Sequence, residues 1–183
     1  MANTYSFDEQ LIMSNGDIVS NDVSSILLQY IPGALSVIKS SPENDRQGVD
    51  YWVEMNTARH LAVDVKVRQD DWLSTHPKED DIALESWSVV EKNIVGWTRD
   101  THKRCDYILW VWKSTGRFCL IPFPMLCHVF INKWQDWSKK YKTRKQFTPS
   151  SDGGYHSECI FVNRQELWLE ILGYYAGKGI ANK

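Results

Sequence analysis

Asp64 and Lys66 stand two positions apart in HLAVDVKVR, residues 60–68. The stretch is rich in β-branched residues and reads as a strand. Side chains alternate faces along a strand. Leu61, Val63, Val65 and Val67 therefore share one face, built like core, and Ala62, Asp64, Lys66 and Arg68 share the other. The run before it, GVDYWVEMN (48–56), reads the same way, with Asp50, Trp52 and Glu54 opposite Val49, Tyr51 and Val53. Thr57, Ala58 and Arg59 suit the short connection of a hairpin. Facing residues of paired strands lie about 5 Å apart. Asp50 and Asp64 can thus converge, with Glu54 on the same face.

Two carboxylates aimed at one point repel unless a cation lies between them. Mg²⁺ or Mn²⁺ takes oxygen ligands octahedrally and keeps waters. Such an ion polarises a phosphate and activates a bound water. A lysine beside it stabilises charge on the phosphoryl oxygens or orients the water. Acid, acid and lysine form a minimal set for hydrolysing a phosphodiester. The plainer reading is a solvated strand face, as most alternating charges are.

The elements that must position these residues follow from periodicity. A helix is expected over 21–30, capped by Ser20 or Asn21, with Val23, Ile26, Leu27 and Tyr30 as its apolar stripe. Pro32-Gly33 ends it, and 40–45 reads as a polar loop. After the hairpin, 82–90 reads as a third strand carrying Glu85, which is either a further acid near the metal or a surface residue. CDYILWVW (105–112) and 117–121 read as strands joined by a turn at 113–116. A helix over 122–140 follows, opened by proline, then a flexible loop at 150–154. A strand over 158–162 and a last helix complete the order; Asn163 and Glu166 resemble a capping box at that helix's start. The expected class is α/β or α+β, a mixed sheet flanked by helices in a single domain over 1–183.

The strand Gly48-Val49-Asp50 followed by Asp64-Val65-Lys66 resembles the PD-(D/E)XK nuclease superfamily, the restriction-endonuclease-like fold. The resemblance covers roughly residues 20–112 as the core, with 122–183 as a helical elaboration. It implies Asp50 as the first metal-ligating acid, Asp64 as the second, Lys66 as the catalytic lysine, and the Val65 carbonyl as a backbone ligand of Mg²⁺ or Mn²⁺. Val49 stands where the name-giving proline would. The run from GWTRD through CDYILWVW to GRFCLIPFP is similar to phage or mobile-element proteins of this type. The implied activity is a Mg²⁺-dependent DNA endonuclease. The alternative is a non-catalytic nuclease-like binding or inhibitor protein acting in phage–host conflict. Glu43, a position suited to a helix-borne acid, falls in the expected loop. Asp45-Arg46 either contacts a phosphate or caps a turn.

The chain has 183 residues, 43% hydrophobic and 24% charged, with formal net charge −2. That charge does not advertise nucleic-acid binding, so a binder needs a local basic patch. NKWQDWSKKYKTRKQF (132–147) offers one. Lys139, Lys140, Lys142, Arg144 and Lys145 are candidate phosphate contacts, as are Arg46 and Arg68 near the acids. Trp134, Trp137 and Tyr141, spaced three and four, read as the buried stripe of a helix rather than base-stacking rings. Asp70-Asp71 and Glu79-Asp80-Asp81 suit a surface facing a protein partner. A homodimer is compatible with cutting two strands. Cys105, Cys119, Cys127 and Cys159 lack metal-ligand spacing and read as free thiols of a reducing compartment. With no long apolar run and no signal-like start, the expected location is cytoplasmic, in a host if phage-encoded.

Overall fold

The computed structural model describes residues 17–76, 79–149 and 153–180. Their elements run α1 (Asp17–Tyr30), β1 (Ala34–Lys39), α2 (Pro42–Arg46), β2 (Tyr51–Met55), β3 (His60–Arg68), β4 (Asp81–Val89), β5 (Ile94–Val95), β6 (Tyr107–Trp112), β7 (Arg117–Pro122), α3 (Phe123–Lys140), β8 (Thr143–Thr148), β9 (Tyr155–Asn163) and α4 (Arg164–Ile180). The class is mixed α+β. The contacts group into two compact units, one of residues 1–71 and 102–123, the other of 72–101 and 124–183.

The first unit holds a five-stranded sheet in the order β1-β2-β3-β6-β7. β3 pairs antiparallel with β2 and parallel with β6; the remaining pairs are antiparallel. A parallel pair needs a crossover, and residues 72–101 provide it. Alternation along β3 is as expected: Val63 joins Val23, Leu27, Ile31, Tyr51, Val53, Leu109 and Val111 in one core, with Leu61, Val65 and Val67 packed against it. The stripe of α1 differs at its end. Tyr30 is exposed, and Ile31, one turn beyond Leu27, takes the buried position. The helix also begins at Asp17, so Ser20 and Asn21 lie within it rather than at its cap. Gly33, at φ +85°, turns the chain out of the helix as expected.

Two further expectations change in this unit. Residues 42–46 are a short helix, not a loop: the Ser41 hydroxyl accepts from the Asn44 amide and Pro42 stands in the first turn. Glu43 is therefore helical, and exposed. Asp71 is no surface acid either. Its carboxylate receives Arg117 through two nitrogens, at 2.8 and 2.9 Å, and the Thr115 hydroxyl at 2.8 Å.

The second unit holds a separate sheet, β5-β4-β9-β8, all antiparallel. One mixed sheet was the expectation. β4 instead leaves the β2-β3 hairpin and pairs along its length with β9, a partner far away in sequence. Residues 143–148, to which the sequence reading gives no element, form the edge strand β8. Edge strands tolerate the charges that break apolar alternation. Asn163 caps α4 through the Gln165 and Glu166 amides; the Glu166 carboxylate is engaged by Lys140 and by the Tyr141 hydroxyl. Trp137 is buried against Phe130, as a helix stripe should be. Asp80 pairs with Arg164. Among the described residues no helix is long and apolar enough to cross a membrane. Residues 150–152, part of the expected flexible loop, lie outside the described residues.

Candidate functional site

The hairpin brings Asp50 and Asp64 together by the route their spacing implies. Tyr51 pairs with Val63 and Trp52 with Ala62. Asp50 stands just before β2; its amide donates to the Val63 carbonyl at 2.9 Å. Its carboxylate accepts from the Val65 amide at 2.5 Å, so a side chain continues the ladder where the strand has ended. The N–H and C=O of a strand residue point to the same side. The Val65 carbonyl therefore faces the end of β2, where Asp50 stands.

Asp64 is only 1% exposed. Lys66 Nζ lies 2.7 Å from its Oδ1. Lys103 Nζ lies 2.5 Å from its Oδ2. Lys103 went unassigned in the sequence. It precedes β6, and the parallel β3-β6 pairing carries it to Asp64. Two backbone ties hold that entry: the Arg104 amide donates to the Gln47 carbonyl, and Asp106 exchanges bonds with Ala62 through its amide and its carboxylate. The stem of Lys103 crosses Gly48, where an added Cβ would come within 2.6 Å of its Cγ. The one signal available was a basic pair, Lys103-Arg104, leading into an apolar strand.

The electrostatics separate the two acids. Burial pushes the Asp50 carboxyl up to about 7, and the Asp64 charge adds to it, against the opposing pull of Lys66 and the Val65 amide. Burial acts the same way on Asp64, but the Lys66 and Lys103 charges outweigh it and hold that carboxyl below its ordinary range. Neighbouring Cys105 is pushed up to about 12 by burial, which removes it as a nucleophile.

No known protein family, curated protein or solved structure matches this chain.

The remaining candidates fall elsewhere. Glu54 pairs with His60 and accepts from Ser36 at 2.8 Å; four residues along a strand put it about 13 Å from Asp50. Glu85 belongs to the second unit, where its carboxylate receives the Trp97 amide at 3.0 Å. Arg46 is exposed at the end of α2. Arg68, on the Asp64 face, lies over the Trp110 ring at 5.0 Å. Lys139, Lys142, Arg144 and Lys145 are exposed in the second unit, and Lys140 pairs with Glu166. Trp134 is no free ring: it meets Trp87 edge to face, with centroids 5.9 Å apart, and Arg99 lies over both rings, at 4.2 and 4.5 Å.

Two carboxylates and a carbonyl are oxygen donors of the kind a divalent ion takes, with a lysine already at each oxygen of Asp64. Mg²⁺ is ordinarily held by one or two carboxylates, with waters and substrate phosphate completing the shell. Among the described residues no group of three or more His, Cys, Asp or Glu suited to a metal occurs. The ammonium groups of Lys66 and Lys103 stand where a cation's charge is wanted.

Proposed function

We propose that the first unit hydrolyses phosphodiester bonds of DNA with a divalent metal ion, Mg²⁺ or Mn²⁺. One observation carries the reading: a carboxylate 1% exposed, with a second carboxyl against it and a lysine on each oxygen. Burying such a cluster costs stability, and perturbed, coupled acids gather where chemistry is done. Asp50 and Asp64, with the Val65 carbonyl, would hold the ion. When bound, it would supply Lewis acidity and an activated water.

The chain's own residues supply the rest. Lys66, partly exposed, can neutralise a phosphoryl oxygen or orient the attacking water. Lys103, deeper, balances Asp64 and fixes its orientation. Arg68 continues the positive charge along the same face. This constellation is the one by which residues 48–66 resemble the PD-(D/E)XK superfamily.

The second reading is a non-catalytic binding protein on a nuclease-like frame. The two lysines favour it, since they compensate Asp64 without any ion. The test is incubation with linear, circular, single-stranded and branched DNA, with and without Mg²⁺ or Mn²⁺. Metal-dependent cleavage that disappears in Asp64→Ala is the expected result. Failure to cut any of these DNAs, or equal cutting by Asp64→Ala, would sink the nuclease reading.

A further inference from the structure

The face that carries Asp64 continues towards the hairpin end of β3 as a shallow depression of about 350 Å³, lined by Ile38, Trp52 and His60. Strand register builds it. Ile38 pairs with Trp52, and Trp52 with Ala62. Facing residues on neighbouring strands share a face, so an aliphatic branch, an indole and a methyl lie in a row. His60 meets the Trp52 ring edge to face, with centroids 6.4 Å apart and planes at 88°. Trp52 is only half-buried, and Ile38 is 52% exposed. From Ala62 to Asp64 is two strand residues, about 7 Å.

We propose that this depression is a nucleobase-stacking subsite, in which Trp52 takes an unpaired base of a nucleic-acid strand whose phosphate lies at the Asp64–Lys66–Lys103 cluster. The placement of that phosphate rests on the phosphodiesterase reading above. Charge complementarity selects this occupant. The depression is largely apolar and aromatic, and further along β3 the same face carries Lys66 and Arg68 beyond Asp64, with Lys103 on Asp64 itself. A polyanion whose units each carry a flat ring matches that order. Stacking on an aromatic ring tolerates any base, because every base has a π-face. The subsite would thus favour unpaired nucleic acid without reading its sequence.

The test is binding of a fluorescein-labelled single-stranded oligonucleotide in EDTA, read by anisotropy, so that no cleavage is required. Trp52→Leu keeps apolar bulk and removes the ring; it should bind about tenfold more weakly. Trp52→Phe should stay within about threefold of the unmodified protein. An abasic sugar-phosphate chain should bind the unmodified protein and Trp52→Leu alike. Photo-crosslinking of an oligonucleotide carrying 5-iodouracil to the unmodified protein, followed by peptide mapping, should place the adduct on Trp52. That measurement needs no variant to fold. An oligonucleotide that binds folded Trp52→Leu undiminished, an adduct found only elsewhere, or no binding by the unmodified protein overturns the proposal. A protein that stacks bases through Trp52 but never cuts DNA leaves this subsite standing and removes only the proposed activity.

Discussion

Lys103 grips the oxygen of Asp64 that Lys66 leaves open: Nζ to Oδ2 is 2.5 Å, against 2.7 Å from Lys66 to Oδ1. Both Lys103 and Asp64 are nearly buried, so their charges are little screened by water.

Replacing Lys103 by Met should therefore destabilise the protein by about 3 kcal/mol, the low end for a broken buried pair, because Lys66 stays. In an Asp64→Ala background the same replacement should matter much less. Urea unfolding of the four proteins in that cycle measures the coupling. Additive effects would show that Lys103 and Asp64 do not act as a pair.

Asp50 makes stability fall as pH rises. Its folded value is about 7 against an ordinary 3.8. Between those limits the folded protein holds a proton that the unfolded chain has released, so raising the pH favours unfolding. Asp64 works in the opposite sense: its folded value is lowered, and the stability it contributes is lost as pH falls below the ordinary carboxylate range. Asp50→Asn should match the unmodified protein near pH 4 and exceed its melting temperature at pH 8. A difference that is constant across that range would refute the assignment to this carboxyl pair.

Gly48 has two reasons to be glycine: φ is +85°, and the Lys103 stem occupies the space of a Cβ. Gly48→Ala should cost about 1–2 kcal/mol from backbone conformation alone. It should also push Lys103 off Asp64, so that adding Lys103→Met to it costs less than in the unmodified protein. Thermal unfolding of the single and double variants reads both effects.

Asp71 is 5% exposed and is held by Arg117. Arg117→Ala would strand that carboxylate, at a cost of about 3–5 kcal/mol. Chemical denaturation should detect it readily. A change below 1 kcal/mol would mean that Thr115 and solvent suffice for Asp71.

The exposed bases around β8 concern binding rather than stability. If Lys142, Arg144 and Lys145 contact phosphates, replacing all three by Ala should lower the slope of log affinity against log salt by about 2–3. Melting temperature should be unchanged. An unaltered slope in DNA titrations from low to moderate salt would remove the second unit from the DNA-binding surface.

Local order was legible in the chain because its causes are local. β3 spans the residues that alternation marked, His60 to Arg68. The Asp50–Asp64 approach follows from a hairpin whose two strands are neighbours in sequence. Even the helix at 42–46 had a local signal, Ser41 before Pro42 with acids in the first turn, though the polar composition read as loop. Tertiary pairing decided the rest. Lys103 reaches Asp64 only because β3 and β6 pair in parallel although residues 69–106 separate them in sequence, and no local pattern names the partner of a parallel strand. β4 leaves the first sheet for β9 for the same reason, taking Glu85 with it. Asp71 and Asp80 read as surface acids until distant arginines claimed them. Residue spacing determined which side chains could share a face, since a strand's period is fixed by its backbone; only the folded chain decided which distant charges would be buried beside them, since that depends on contacts closed across long loops.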